Sequence, residues 1–359
     1  MRQVRMFRDK RTHGMHLRAG WTYLMEDPTL GHLLSLGAVG SVRDLVPDMH
    51  KEGIAGKRVV LCRSGGFGDL LMLTPTLRSL LAEGCEVAVC CHKQYREALA
   101  GLPVEWEEYP MTTLVRMPYD EVLWLEGCIE FAADPLRPAV DLLAEAAGVT
   151  LTQGRHLSYT VDADARLWVA ENWPKHGRRV GVQLMASAPS RTYPSDQMVQ
   201  VVTKLLNELG VEVFLLGAPG SIVLEKNESD RLVNLAAHRA TWAQSAAAIE
   251  SCDVVLGPDS AAVHLAAAIG TRAVALYGPF THASRIEPGS SVRVIEGRGQ
   301  CAPCHWHGRG SAFPPTGPCA LTGRCEVLGS ISPELVVRVV GEEVERAQRR
   351  MQNDEGGAA

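Results

Sequence analysis

Two acidic residues and one arginine follow predicted strands, at positions where side chains can reach a ligand. Asp69 closes a glycine-rich turn from Ser64 to Gly68, Arg191 lies in a loop after a later strand, and Asp259 follows a third strand. A carboxylate can accept a proton from a hydroxyl group, and a guanidinium can neutralise a diphosphate through paired hydrogen bonds. These residue types predict group transfer from a phosphate-containing donor.

The turn before Asp69 lacks the G-x-G-x-x-G spacing of a dinucleotide-binding fold. Gly65, Gly66 and Gly68 still allow the backbone to approach a ligand closely. Asp69 either caps the helix that follows or accepts a proton from an acceptor hydroxyl, and the spacing allows both interpretations.

Arg191 belongs to the loop from Ala186 to Pro194, which also contains Ser187. The loop follows one predicted strand and precedes a helix, so it lies at the carboxyl edge of a parallel sheet. Arg191 is either a solvated surface charge, as most arginines are, or a ligand of a diphosphate. We assign Ser187 and Arg191 to the predicted donor site.

The segment from Gly257 to Thr271 gathers small residues at the start of a predicted helix. Free amide groups from Ser260 to Val263 and the helix dipole form a site for phosphate oxygens, with Asp259 and His264 beside it. The alternative is an ordinary capped helix start with a histidine in the core.

Four cysteines near the carboxyl end have a spacing that includes a C-x2-C pair: Cys301, Cys304, Cys319 and Cys325. Four thiolates can hold a structural zinc ion, and His305 or His307 can replace one of them. The alternatives are reduced cysteines in the core or a disulfide pair.

Alternating strands and helices must position these residues. The predicted strands are Arg58–Cys62, Cys85–Cys91, Val122–Leu125, Val180–Leu184, Val211–Leu216, Asp253–Leu256 and Ala273–Tyr277. The predicted helices are Asp27–Leu36, Thr74–Leu81, Pro135–Ala147, Ser195–Leu209, Thr241–Glu250, Ala261–Ile269 and one beginning at Ser332-Pro333. Two such runs predict an α/β fold of two Rossmann-like, doubly wound domains that face each other across a central cleft.

We expect three units: a small basic module over residues 1–55, a first Rossmann-like domain over 56–165, and a second over 166–359 that includes the Cys-rich segment 301–325. Residues 173–177 are expected to link the two large domains. Six basic residues and one acidic residue stand in the first twenty, against a net charge of -5 for the chain. The basic start weakly resembles short modules of phage-encoded proteins.

Composition predicts an ordinary globular protein, with 46% hydrophobic and 21% charged residues. No apolar run approaches the roughly 20 residues of a membrane-spanning helix, and no signal peptide is recognisable. We therefore expect a soluble, cytoplasmic protein without a transmembrane segment. It is either bacterial or phage-encoded and located in the host cytoplasm. Peripheral contact with a membrane is compatible with this interpretation.

Several ordered motifs together resemble glycosyltransferase family 9, the ADP-heptose:lipopolysaccharide heptosyltransferases. The resemblance runs from about Arg58 to the helix at Ser332. It includes the turn ending in Asp69 with Thr74-Pro75-Thr76-Leu77-Arg78, Ser190-Arg191-Thr192-Tyr193-Pro194, Gly257 to Thr271, Tyr277-Gly278-Pro279, the Cys301 and Cys304 pair, and Ile331-Ser332-Pro333-Glu334.

The resemblance implies a GT-B fold, with the acceptor on the first domain and the nucleotide sugar on the second. Asp69 matches the general base of the family, and Arg191 stands where the family usually has lysine. The resemblance further implies that Asp259 holds hydroxyl groups of the donor, and that His264 and the amides of Ser260, Ala261 and Ala262 hold phosphate. Pro258 and Ala261 depart from the Gly-Asn-Asp-Ser-Gly of the family.

The mechanism we expect is inverting, single-displacement transfer of a heptose or hexose from a nucleotide diphosphate sugar, without a catalytic metal. The acceptor is either a bacterial surface glycan, which we favour, or a hydroxymethylated base of phage DNA, as the basic N-terminus suggests. A third alternative is a non-catalytic nucleotide-sugar binding protein, because Pro258 and Ala261 alter the donor segment.

Overall fold

The computed structural model describes residues 53–110, 118–129, 136–217, 230–279, 281–299 and 325–356, together with the backbone of five strands before residue 45. These five strands are β1 (Arg2–Met6), β2 (Lys10–Thr12), β3 (Met15–Leu17), β4 (Thr22–Met25) and β5 (Val39–Asp44). Strand β1 pairs antiparallel with β4 and β5, and β2 pairs antiparallel with β3. The predicted helix from Asp27 to Leu36 lies outside the described residues.

The N-terminal lobe is a four-stranded parallel sheet with two helices. Its strands are β6 (Arg58–Cys62), β7 (Glu86–Cys91), β8 (Glu105–Glu108) and β9 (Glu121–Trp124), in the order β8-β7-β6-β9. Its helices are α1 (Phe67–Ala82) and α2 (Ala139–Ala147), which pack against each other. Residues 59–62 of β6 are fully buried because both faces of a parallel sheet are covered.

The C-terminal lobe is a six-stranded parallel sheet. Its strands are β10 (Arg179–Gln183), β11 (Glu212–Leu216), β12 (Leu232–Asn234), β13 (Val254–Pro258), β14 (Arg272–Tyr277) and β15 (Val292–Glu296), in the order β12-β11-β10-β13-β14-β15. Its helices are α3 (Ala163–Asn172), α4 (Ser195–Asn207), α5 (Trp242–Ser251), α6 (Ala261–Ile269), α7 (Glu326–Gly329) and α8 (Pro333–Gly356). Helix α8 packs on α4 and on the centre of the sheet.

The two lobes meet through the starts of helices that follow central strands. Helix α1 follows β6, α6 follows β13, and these two helices contact each other. Phe67 at the start of α1 stacks on Trp242 at the start of α5, with ring centroids 3.9 Å apart. The carboxyl ends of two parallel sheets are thereby brought together, as the predicted central cleft requires.

The strand predictions were correct to within two residues, and β6 and α6 match their predicted bounds. Three predicted helix starts were wrong, among them that of α2, which begins at Ala139 rather than at Pro135. Helix α1 begins at Phe67, not at Thr74, because the glycine-rich turn is already helical from its fourth residue. A serine before an apolar helical pattern favours the N-cap position, but Ser195 is the first residue of α4, since Pro194 holds the extended conformation at the cap position.

The stretch from Gln153 to Arg178 contains a helix that the sequence pattern did not predict. Asp162 caps α3 by accepting a hydrogen bond of 2.8 Å from the Ala165 amide. The predicted boundary between residues 165 and 166 lies inside this helix, and the division into domains stays a prediction. None of the helices in the described part of the chain is long and apolar enough to cross a membrane.

Candidate active site

Asp69 lies at the third position of α1, where the two lobes meet. Its Oδ2 accepts a hydrogen bond of 2.9 Å from the amide of Gly66, the N-cap residue of the helix, and its Oδ1 accepts one of 3.0 Å from Nη2 of Arg63. Arg63 follows β6 directly and is almost fully buried. The capping interpretation of Asp69 is therefore correct in part, but the side chain also belongs to an ion pair, and 26% of it stays exposed.

The charge of Asp69 is set by opposing effects. Burial raises the pKa of this carboxyl, but the guanidinium groups of Arg63 and Arg285 outweigh burial and hold the pKa below its usual range. Nη1 of Arg285, which comes from the C-terminal lobe, lies 3.9 Å from Oδ1 of Asp69. Asp69 is therefore an ionised carboxylate at neutral pH and can accept a proton.

Asp259 is the centre of a buried polar cluster at the end of β13. Oδ2 receives a hydrogen bond of 3.1 Å from Nη1 of Arg191, Oδ1 receives one of 3.2 Å from the Tyr277 hydroxyl, and Nε2 of His264 lies 3.4 Å from Oδ1. Burial raises the pKa of Asp259, but the hydrogen bond with His264 and the positive charges of Arg191 and Arg285 lower it far more. Asp259 is therefore an anion that holds three neighbouring side chains in place.

Arg191 is fixed from two sides rather than solvated. Its Nη1 is paired with Asp259, and its Nη2 donates a hydrogen bond of 2.6 Å to Oγ of Ser187. The structure thus brings the predicted donor residues Ser187, Arg191 and Asp259 together. The sequence did not predict that Arg191 and Asp259 are partners of each other.

The start of α6 presents free hydrogen-bond donors. The amides of Val263 and His264 already bond to the Ser260 carbonyl, at 3.2 and 3.4 Å, so the free amides of the first turn are those of Ala261 and Ala262. His264 is buried, as the core interpretation expected, but it also reaches Asp259.

Unpartnered polar atoms gather around this helix start. Oγ of Ser260, Nδ1 of His264 and Nε of Arg191 are buried without a hydrogen-bond partner in the described part of the protein. Buried polar groups are normally paired, so such a cluster fits a site that is completed by a polar ligand.

A cavity of about 310 Å³ opens between the lobes beside His264 and Arg285. Residues 155–157 line one side, and residues 285–290 with Ala267 of α6 line the other. The volume is in the range of small-molecule sites. His264 and Arg285, which line this cavity, also lie 3.4 Å from Asp259 and 3.9 Å from Asp69, respectively.

Glycines make the approach of the lobes possible. A Cβ atom on Gly68 would lie 3.0 Å from Cδ2 of His264, whereas one on Gly66 would meet its nearest atom, Oδ2 of Asp69, at an ordinary 3.6 Å. Gly65 is the most restricted of the three glycines in this turn, since a Cβ there would lie 2.8 Å from Cβ of Asp69.

The sequence interpretation missed Arg63, Arg285 and the hydroxyl of Tyr277. Arg63 could have been found, because it stands at the carboxyl end of a predicted central strand. Tyr277 was noted within a motif but given no role. Arg285 carries no local signal, since it follows a short 3-10 helix in a loop.

The predicted metal site is mostly outside the described residues. Cys301, Cys304 and Cys319 lie there, and Cys325 is the residue before α7. Within the described ranges, no group of three or more His, Cys, Asp or Glu side chains could hold a metal ion. Zinc therefore gains no support from the structure.

Solved structures with the same fold are glycosyltransferases. A family 9 glycosyltransferase from Veillonella parvula is 17% identical, with a TM-score of 0.55 over 67% of this chain and 86% of its own. ADP-heptose lps heptosyltransferase II of E. coli is 15% identical, with a TM-score of 0.53 over 81% and 99%. The dodecameric iron-containing glycosyltransferase TibC of enterotoxigenic E. coli is 12% identical, with a TM-score of 0.61 over 82% and 80%.

The chain has the GT-B fold of two Rossmann-like domains that these glycosyltransferases share. The family model described as glycosyltransferase family 9 (heptosyltransferase) matches residues 137–309, so the resemblance to that family is confirmed. A comparison with curated protein sequences gives no significant match. The family match agrees with the predicted glycosyltransferase.

Proposed function

We propose that this glycosyltransferase transfers a heptose or hexose from a nucleotide diphosphate sugar to a hydroxyl group of a bacterial surface glycan, with inversion at the anomeric carbon. The observation that carries the proposal is the meeting of Asp69 from one lobe with Arg285 and the Asp259 cluster from the other. A carboxylate that can accept a proton thereby faces a pocket that suits a diphosphate.

In the proposed reaction, the acceptor hydroxyl attacks the anomeric carbon while Asp69 takes its proton. The new bond joins the acceptor oxygen to that carbon, and the bond between the carbon and the diphosphate oxygen breaks. Both electrons of the broken bond leave with the diphosphate. One displacement of this kind inverts the anomeric configuration.

Fixed positive groups would stabilise the leaving diphosphate. Arg191 is held in place by Asp259 and Ser187, and its Nε is unpartnered. The amides of Ala261 and Ala262 and the dipole of α6 point to the same place. Donors that are already oriented stabilise developing charge without reorganisation, so the proposal needs no catalytic metal.

The relatives support the proposed classes of donor and acceptor, a nucleotide diphosphate sugar and a surface glycan. One TibC structure is described as a complex with ADP-D-beta-D-heptose, with a TM-score of 0.59 and 11% identity, and heptosyltransferase II is named for lipopolysaccharide. The relatives reported above give no support to DNA as an acceptor. We therefore keep the surface glycan as the proposed acceptor.

The test combines a substrate screen with one substitution. Nucleotide diphosphate sugars and core oligosaccharide acceptors are screened by product mass, and the anomeric configuration of the product is read by NMR. Asp69→Asn should then lower kcat by about 100- to 10,000-fold, the usual contribution of a general base, while the donor Kd stays nearly unchanged.

The matched control is Asp164→Asn, which changes an exposed carboxyl in the first turn of α3 and should leave kcat unchanged. Full activity of Asp69→Asn would remove the proposed base. A product with retained configuration would remove the single displacement.

A further inference from the structure

The loop after the 3-10 helix of residues 282–284 contacts the N-terminal lobe through two side chains that are two residues apart. Nη1 of Arg285 lies 3.9 Å from Oδ1 of Asp69. Two residues later, the Glu287 carboxylate accepts hydrogen bonds of 2.7 and 3.3 Å from Nε and Nη2 of Arg155. Arg155 also pairs with Asp141 of α2, so this second bridge ties the loop to the N-terminal lobe.

The two bridges differ in what they can do. Arg155 and Glu287 form a bidentate pair that holds the lobes together but does not touch Asp69. Arg285 instead places a positive charge beside the proposed base, and 82% of its side chain is shielded from solvent, since 18% is exposed. A partly buried charge is screened far less by water and salt than an exposed one.

Within the described ranges, four charged or titratable side chains lie on Asp69 or on the turn before it. Arg63 approaches it from the end of β6, and Arg285 from the C-terminal lobe. His264 of α6 packs against the neighbouring Gly68, and Glu126 bonds to Ser64 at the start of the same turn. Of these, only Arg285 places its charge near Asp69 from the opposite lobe.

We propose that Arg285 is a positioning residue of the transfer reaction, which holds the Asp69 carboxylate at the interface and couples its negative charge to contact between the lobes. The inference rests on the proposed role of Asp69 as the base. It adds a residue of the C-terminal lobe to the control of a proton acceptor on the N-terminal lobe.

Physical reasoning explains why such a residue is needed. A carboxyl that is buried by closing lobes and by a bound acceptor loses hydration, which favours its neutral form, and a neutral Asp69 cannot accept a proton. Arg63 offsets part of this effect from within the same lobe. The Gly66 amide and the charge of Arg285 also lower the pKa of Asp69, and Arg285 does so from the opposite lobe.

The experiment compares pH profiles of kcat/KM for the full-length protein and three variants, with the donor and acceptor found in the screen. Arg285→Gln removes the charge beside Asp69. Because an opposite charge within about 4–6 Å shifts a carboxyl pKa by about 1–3 units, the acid limb should move up by about one unit or more. At acid pH, kcat/KM should fall at least about tenfold further below its plateau than in the unmodified enzyme.

Two variants separate electrostatic positioning from simple closure. Arg285→Lys keeps the charge and should restore the original acid limb. Arg155→Gln breaks the other bridge and should lower kcat/KM by a similar factor at every pH, without moving the limb. Circular dichroism at each pH shows that every variant stays folded over the range compared.

An acid limb that Arg285→Gln leaves in place would overturn the inference, and so would an equal shift in Arg155→Gln. These outcomes are distinct from failure of the proposed function. If Asp69→Asn is inactive and the limb of Arg285→Gln does not move, Asp69 remains the base and only the role of Arg285 is lost. If Asp69→Asn is fully active, the base assignment itself is wrong.

Discussion

Replacement of Asp259 by asparagine tests whether the donor-site cluster is held together by one buried charge. The substitution keeps the size of the side chain but removes its negative charge. Arg191 then loses its ion-pair partner at 3.1 Å, while the Tyr277 hydroxyl at 3.2 Å can still bond to an amide oxygen. The expected effect is therefore dominated by Arg191.

The magnitude follows from burial. Removing one partner of a fully buried ion pair costs about 3–5 kcal/mol, because the other charge is left uncompensated. The side chain of Arg191 is 22% exposed, so water recovers part of that cost. We expect Asp259→Asn to lower the free energy of unfolding by about 2–3 kcal/mol at neutral pH, which is large for a single substitution.

The assay is urea unfolding followed by circular dichroism, at neutral and at acid pH. The pKa of Asp259 in the folded state lies below its unfolded value, so the carboxylate stabilises the protein at pH values above about 3.9, the usual value for Asp. That contribution is lost as the pH falls through the folded-state pKa. The difference between the unmodified protein and Asp259→Asn should therefore be constant near neutral pH and shrink in strong acid.

The control is Glu208→Gln, which breaks the exposed pair with Lys204 on the same lobe and should not change the unfolding midpoint measurably. A free energy of unfolding for Asp259→Asn within about 0.5 kcal/mol of the unmodified protein, the range of neutral surface substitutions, would refute the reasoning. The Arg191–Asp259 pair would then stabilise the protein no more than an exposed ion pair does. Another contact would have to hold Arg191 in its orientation.

Further substitutions test other parts of the structure. Gly68→Ala should lower kcat/KM, because the added methyl group hinders the approach of the lobes at His264, and it should cost little unfolding free energy because alanine favours the helix. Gly66→Ala is the control and should lower kcat/KM less, so equal kinetics of the two variants would contradict the close approach. Thr241→Ala removes the capping box of α5 and should lower the free energy of unfolding by about 1 kcal/mol in the same urea assay, and an unchanged midpoint would show that the cap is not needed.

The sequence predicted the fold well because its parallel sheets are buried on both faces. The strands are continuous apolar runs bounded by turn residues, as in residues 58–62, and such runs are read easily. The edge strands β8, β12 and β15 were missed, since most of their residues are partly exposed and do not form such runs. Their pairing depends on neighbours that are distant in the sequence.

The candidate site divides in the same way. Asp69, Arg191 and Asp259 could be predicted because each follows a strand whose carboxyl end faces the cleft. The pairs Arg191–Asp259 and Arg285–Asp69 could not, because each joins residues separated by 68 and 216 positions, respectively. Local spacing identifies which residues reach the cleft, but only the packing of the lobes determines which of them meet.

The charges of the site explain how a diphosphate can enter beside two carboxylates. Asp69 and Asp259 would repel a diphosphate, but three guanidinium groups lie beside them. Arg63 and Arg285 are within 4 Å of Asp69, and Arg191 is within 4 Å of Asp259. The charge of Arg285 also lowers the pKa of Asp259. Three positive charges against two negative ones leave an excess of one before the dipole of α6 is added. The carboxylates hold the arginines in place in the absence of a donor. Binding of the proposed donor would therefore cost little free energy for orienting these cations.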